Sequence, residues 1–449
     1  MAFWKNERVT PAQVIILGFL LLILTGTGLL MLPFATRGPG GASFSDALFT
    51  ATSATCVTGL VIHDTATYWS EFGQVVILLL IQTGGMGVVT MAGAVTMFTG
   101  RRIGLRQRCL MQESIAAPQV GGIVRMTGFI LKATFLMEAV GAVLLSLRFC
   151  PEYGLVRGVW YGVFHAVSAF CNAGFDLLGT PGAPYVSLTG YVGDGVVAGT
   201  IMCLIVAGGI GFFTWDDLHR HKWRFRAYRL QTKLILTTTA ALIVLPALFL
   251  FFGELARPEW AGLGLGERAL AALFQSVTPR TAGFNTVDLT VFGGGAQLLL
   301  ILLMLVGGSP GSTAGGFKTT TLATFVLSVR AVFRQRESIQ CFGRRLPPEI
   351  LRSAVSICGL YITLFLTGGM LIASFDGVAL SAALFEAASA IGTVGLSLGV
   401  TPGLGGASRL VLVALMYFGR VGGLTMMYAL IANHAPAPAQ MPLEKIAVG

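Results

Sequence analysis

The sequence predicts an all-α integral membrane protein, and three observations lead there. Of its 449 residues, 54% are hydrophobic and only 11% charged, against about 25% charged in soluble domains, and mean hydropathy is +0.78. Apolar runs recur at close to the ~20 residues that cross a hydrocarbon core as a helix. Four short polar stretches, each closed by a glycine, recur with one outline among those runs.

In chain order the runs are Ala12–Phe34, Gln74–Phe98, Met126–Leu147, Gly195–Phe213, Leu234–Phe252, Ala296–Val306, Ile357–Ser374 and Leu410–Ala432, eight candidate spans. The first has full membrane length and lacks a small-residue cleavage pattern, so it is expected to stay as a helix rather than leave as a signal peptide. The 296–306 run is too short to cross alone and continues into a Gly/Ser-rich stretch. Of the 30 Lys and Arg residues, 18 fall in four clusters: Lys5/Arg8, Arg101–Arg108, Arg220–Lys233 and Arg330–Arg352. These lie before or between successive pairs of spans. The positive-inside rule therefore places them, and the N-terminus, in the cytoplasm. Orientation and contact with anionic membrane lipid account for them better than a nucleic-acid surface does, and no nucleic acid is expected. Seven cysteines without CxxC or His/Cys spacing read as free thiols.

The glycine-ended stretches define an internal repeat. Phe49-x-x-x-Ser53-Ala54-x-x-x-x-Gly59, Phe164-x-x-x-Ser168-Ala169-x-x-x-x-Gly174 and Phe385-x-x-x-Ser389-Ala390-x-x-x-x-Gly395 share one pattern, and Phe274-x-x-x-Thr278-Pro279-Arg280-Thr281-Ala282-Gly283 follows it with one residue fewer. The closing glycines are 115, 109 and 112 residues apart. Four units follow, at 1–100, 101–217, 218–336 and 337–432, with a tail at 433–449. Each reads as a span, a half-length helix ending in the motif, and a second span rich in glycine. Basic loops between units put both ends of every unit in the cytoplasm and the re-entrant motif on the outer side.

Non-helical backbone at membrane depth survives only inside protein or beside water, because hydrocarbon cannot satisfy its N–H and C=O groups. The four loops are therefore expected to face one interior axis in pseudo-fourfold array and to present rings of carbonyls able to replace the hydration shell of a potassium ion. The lining is expected from Thr55, Cys56, Val57, Thr58 and Gly59; Cys171, Asn172, Ala173 and Gly174; Arg280, Thr281, Ala282 and Gly283; and Gly392, Thr393, Val394 and Gly395. Each preceding half-helix would aim its C-terminal end, bearing about half a negative charge, at the axis and favour a cation there. Below this filter the third unit's second span is interrupted by Gly307, Gly308, Ser309, Pro310, Gly311, Ser312, Thr313, Ala314, Gly315 and Gly316, followed by Lys318. So many helix-weakening residues predict an unwound loop able to act as a gate. Arg420 lies 25 residues beyond Gly395, as Gly308 lies 25 beyond Gly283, which sets it at the gate's depth. An arginine facing lipid costs at least ~2.5 kcal/mol, so it should face inward.

With these motifs in order, the chain resembles the Trk/Ktr/HKT superfamily of potassium transporters, and most closely its Ktr-type bacterial pore subunits. The resemblance rests on T-C-V-T-G-L, F-C-N-A-G-F-D, P-R-T-A-G-F-N, I-G-T-V-G-L-S, the run G-G-S-P-G-S-T-A-G-G-F-K-T-T and G-R-V-G-G-L-T. Gly423 stands where proline is common in relatives. The resemblance implies potassium uptake across a bacterial cytoplasmic membrane, with potassium as the transported ion and sodium as a candidate regulator. It also implies a homodimer whose protomers each hold a pore, on a cytoplasmic ring of nucleotide-binding regulatory subunits.

Other signals are weaker. Gly311–Thr319 nearly spells a phosphate loop, but its lysine falls one residue late and no strand precedes it. Gly193-Asp-Gly195-Val-Val-Ala198 lacks a βαβ setting. His63, Asp64 and Glu71 read as a solvated outer loop. His165 and Glu386 sit on half-helices and are expected to brace the filter from behind, with Arg280 as the partner of Glu386. Only five scattered histidines argue against an enzyme. The alternative is an ion-coupled secondary transporter, whose signature would be inverted repeats rather than parallel ones.

Overall fold

The computed structural model describes residues 10–98, 103–114 and 121–423. The basic residues Lys5, Arg8, Arg101 and Arg102, the end of the last expected span and the 433–449 tail lie outside them. Thr10 opens the first helix with a capping box to Gln13, and Pro11 takes the first turn, where its missing N–H costs nothing. The first unit comprises α1 (Pro11–Leu30), α2 (Phe44–Thr55), α3 (Thr65–Tyr68), α4 (Glu71–Met86) and α5 (Val88–Phe98). The second comprises α6 (Leu105–Ser114), α7 (Ile123–Tyr153), α8 (Leu155–Phe170), α9 (Gly195–Gly209) and α10 (Phe212–His221). The third comprises α11 (Leu230–Phe249), α12 (Leu265–Val277), α13 (Gly294–Leu305) and α14 (Thr319–Phe333). The fourth comprises α15 (Pro348–Asp376), α16 (Leu380–Gly392) and α17 (Gly406–Val421). A two-residue hairpin, β1 (Gln340–Cys341) against β2 (Arg344–Arg345), precedes α15.

Helices α1, α7, α11 and α15 are long and apolar enough to cross a membrane, α11 running on through a π turn to Glu254. Two expected spans are not continuous. Gln74–Phe98 bends by 96° between α4 and α5, and the run from Gly195 bends by 97° between α9 and α10. The cause is one residue type at equivalent places: Gly87, Gly211 and Gly422 take φ of 86°, 89° and 89°, a region closed to most side chains. The 306–318 interval is non-helical throughout rather than kinked. Leu21, Leu79, Leu136, Val143 and Leu302 stand exposed on outer helix faces, as bilayer contact requires.

Packing between units runs in a circle. One buried cluster joins units one and two around Trp69, Phe164 and Phe175. A second joins two and three through Phe170, Ile201, Phe274 and Phe284. The third joins three to four through Met304 and Phe385 and reaches Phe49 and Cys56 of unit one. Helices α2, α8, α12 and α16 thereby end around a common centre.

Candidate functional site

The four loops at that centre share a backbone. Residues Val57, Asn172, Thr281 and Thr393 have φ of 57°, 59°, 65° and 52°, and two positions on, Gly59, Gly174, Gly283 and Gly395 have 90°, 71°, 81° and 94°. A positive φ on a β-branched residue is an outlier and costs about 1–3 kcal/mol, so the surroundings must over-determine it. They do so through the Ser/Thr that opens each motif. Ser53 O accepts from Thr58 N (2.8 Å), Ser168 O from Ala173 N (2.7 Å) and Ser389 O from Val394 N (2.8 Å), all five residues on. In the shortened third motif, Thr278 O accepts from Ala282 N (2.9 Å), four residues on, which absorbs the deletion. The hydroxyls finish the turn: Ser53 Oγ and Ser389 Oγ accept from Gly59 N and Gly395 N, whereas Ser168 and Thr278 donate to Phe175 O and Phe284 O.

The glycines form a closed cycle. A Cβ on Gly59 would collide with Ala173 O, one on Gly174 with Ala282 O, one on Gly283 with Val394 O, and one on Gly395 with Thr58 O. All four line one cavity of about 380 Å³, together with Asp64, Asp176 and Asp288. Burial, then the Asp64 carboxylate, pushes the Asp176 carboxyl up to about 7. Asp64 is not the solvated loop residue expected: it is buried, caps α3 and accepts from Tyr185 N (3.0 Å). A second set of glycines brings the other helices close, since side chains on Gly84, Gly208 and Gly419 would strike Thr55 O, Phe170 O and Ile391 O at the half-helix ends. Around the axis the buried hydroxyls of Thr55, Thr58, Thr281 and Thr393, and that of Ser312 in the loop below, have no hydrogen-bond partner among the described residues. Uncompensated burial of a hydroxyl is costly, so this donor set suits water or a cation.

The 306–318 loop lies beneath this ring and is tied at many points. Ser309 N and Thr313 N donate to Gly209 O and Gly208 O, and Gly311 O accepts from Phe212 N (2.8 Å), all at the α9–α10 break. Thr313 Oγ1 donates to Phe170 O (3.1 Å) and Asn172 Oδ1 (2.9 Å). Gly307 N donates to Phe317 O, closing the loop's neck, and Ser309 Oγ meets Thr319 Oγ1. Lys318 Nζ donates to Ala314 O (2.8 Å) and Gly315 O. A Cβ on Gly315 would collide with Thr393 of the fourth motif. Arg420, in the last turn of α17, donates to Thr313 O, to Gly84 O and to Gly85 O (2.9 Å), joining loop and α4. Helix α17 stays intact through Val421, so the glycine at 423 does not disturb Arg420.

The expected Arg280–Glu386 pair does not form. Glu386 accepts from Ser397 Oγ (2.6 Å), Leu398 N (3.1 Å) and Thr401 Oγ1 (2.6 Å), just past Gly395 of its own loop. Arg280 is buried with Thr239 Oγ1 at 3.3 Å, and its carbonyl accepts from Asn172 Nδ2. His165 stands behind loop two, with Nε2 accepting from Leu177 N. Sequence reasoning missed Glu138 of α7, whose carboxyl accepts from Gln82 Nε2 (3.2 Å) and lies 3.8 Å from Cys171 Sγ at the start of loop two. A carboxyl inside an apolar run was the available signal. The Asn172 side chain was also missed as the link between loops two and three and the loop below.

Comparison with known proteins places this arrangement. Residues 9–437 match the family described as TrkH, cation transport protein. The chain belongs to that family. It is 40% identical over 95% of its length to the Ktr system potassium uptake protein B of Bacillus subtilis, covering 94% of that protein. It is 36% identical over 99% of its length to the potassium/sodium uptake protein NtpJ of Enterococcus hirae, covering 98% of it. The fold is similar to the crystal structure of the potassium transporter TrkH from Vibrio parahaemolyticus, with TM-score 0.73 and 18% identity over 96% of this chain and 86% of that one. This TrkH-family chain is thus a multi-pass membrane transporter and not an enzyme.

Proposed function

We propose that the chain takes up potassium across the cytoplasmic membrane through a pore of eight spans in pseudo-fourfold array, N-terminus inside. One observation carries the reading: the cycle in which each filter glycine abuts the carbonyl preceding the next, from Gly59 through Gly174 and Gly283 to Gly395 and back. Alternating backbone hand turns successive carbonyls toward one side, so four strands about an axis offer stacked oxygen rings to a dehydrated ion. The acids of the outer cavity concentrate cations at its mouth, and the half-helix ends favour them below. The 307–316 loop is the gate, held shut by Arg420 and Lys318. Relatives named for the Ktr system support a regulatory partner; on the proposed reading that partner is a cytoplasmic nucleotide-binding ring and the pore subunit it acts on is a homodimer. No bound cofactor is proposed; potassium is cargo and sodium a regulator.

Rubidium flux into proteoliposomes of the purified chain tests this. Potassium should compete strongly and sodium, lithium and caesium weakly, and serine at any of the four glycines should lower that preference. Flux that stops without an imposed sodium gradient would favour ion-coupled transport, and unchanged discrimination in all four serine variants would reject the filter.

A further inference from the structure

Beside the gate, away from the ion path, α11, α14 and the β1–β2 hairpin enclose a groove of about 1180 Å³. Its walls change character along its length. Leu234, Ala241 and Leu245 of α11 face Leu322 and Val326 of α14, and the hairpin end carries Arg330, Arg334, Arg336, Arg344 and Arg345. These arginines are exposed, and none has an ion pair or side-chain hydrogen bond among the described residues. Leu245 and Val326 are likewise exposed, so the apolar part opens sideways.

We infer that this groove holds an anionic phospholipid, one acyl chain along the α11–α14 wall and its phosphate among the five arginines. Length and charge both fit. From Leu234 to Leu245, eleven residues rise about 16 Å, close to the ~15 Å of one leaflet, half of a ~30 Å hydrocarbon core. Basic pockets between spans suit anionic headgroups, and arginine binds phosphate through paired N–H donors. A soluble regulatory subunit cannot follow the groove into hydrocarbon, and a zwitterionic lipid leaves the arginine cluster uncompensated. The position also gives the site a consequence. Helix α14 starts directly after Lys318, so a lipid wedged against it biases the gate loop. The site itself rests on the chain's being a membrane protein and not on which ion it carries.

The test is native mass spectrometry of the full-length chain equilibrated in mixed micelles with equal palmitoyl-oleoyl phosphatidylglycerol and phosphatidylcholine. A phosphatidylglycerol should be retained on each chain, several-fold in excess over phosphatidylcholine. Joint Arg330→Gln, Arg334→Gln, Arg344→Gln and Arg345→Gln replacement should abolish that preference, and Arg224→Gln with Arg226→Gln, outside the groove, should leave it. Val326→Trp, which fills the apolar wall and keeps every arginine, should also release the lipid, so the proposal stays testable if the four-site variant does not fold. Equal retention of the two lipids, a preference that survives both groove variants, displacement by inorganic phosphate alone, or a two-chain particle with the groove sealed and no lipid would each overturn it.

Discussion

At Glu138 a single carboxyl sits where only its effect on a neighbour explains it. It lies in α7 behind loop two, touches Gln82 and Cys171, and has no cation beside it among the described residues. Cys171 caps α8 and begins the loop that reaches φ 59° at Asn172, so support here acts on the backbone of the proposed filter. Glu138→Gln keeps the shape but weakens the acceptor facing the thiol. If about 1 kcal/mol of restraint is lost, discrimination of potassium from sodium should fall about fivefold, with maximal rubidium flux nearly intact and Glu138→Ala worse. Wild-type discrimination in both well-folded variants would leave the carboxyl without that role. The four loop-closing glycines were legible because a missing Cβ and a positive φ leave a trace in sequence. The partners of Glu386 were not, because two hydroxyls and an N–H from its own downstream turn satisfy it as well as a distant arginine would, and no pattern of charges reveals that.

Among the elements, the interrupted span is the most informative. Its glycines, proline and hydroxyls announced an unwound stretch, since propensity is a local property. Its partners were hidden, because they include backbone groups at the α9–α10 break and, through Arg420, the carbonyls that end α4, and a broken helix is indistinguishable from a whole one by hydropathy. The loop is therefore not slack but clamped, with Arg420 bridging Thr313 O to Gly84 O and Gly85 O. A hydrogen bond from a charged donor contributes about 1.5–3 kcal/mol, so losing one net bond should raise the open population by about tenfold or more. Arg420→Ala should increase maximal rubidium flux accordingly and leave cation preference nearly unchanged. Arg420→Lys separates two explanations: it keeps the charge but cannot span three carbonyls. A tether predicts raised flux in both variants, whereas simple repulsion of the ion predicts it in alanine alone. Deleting residues 309–315 should raise basal flux as well; a folded deletion with lower or equal flux would end the gate assignment.

For the whole molecule, the period near 112 residues marks four units whose half-helix ends meet around one centre, and the contacts give that a topological consequence. The glycine cycle, the hydrophobic clusters that link one unit to the next, and the gate loop with its clamp all come from one chain. If the proposed pore is completed by these contacts, it gains nothing in selectivity from a second copy, and the proposed homodimer should hold two pores that work side by side. Mixed particles decide this. Wild-type and Arg420→Ala chains bearing different tags, purified sequentially so that each particle holds one of each, should carry a flux equal to the mean of the two homodimers, at one unchanged cation preference. A shared pore would instead give a flux set by the clamped chain, and gates coupled across the dimer would give the mixed particle the behaviour of one parent. Failure to capture any doubly tagged particle in mild detergent would remove the proposed dimer and leave the proposed single-chain pore resting on the contacts among the four units.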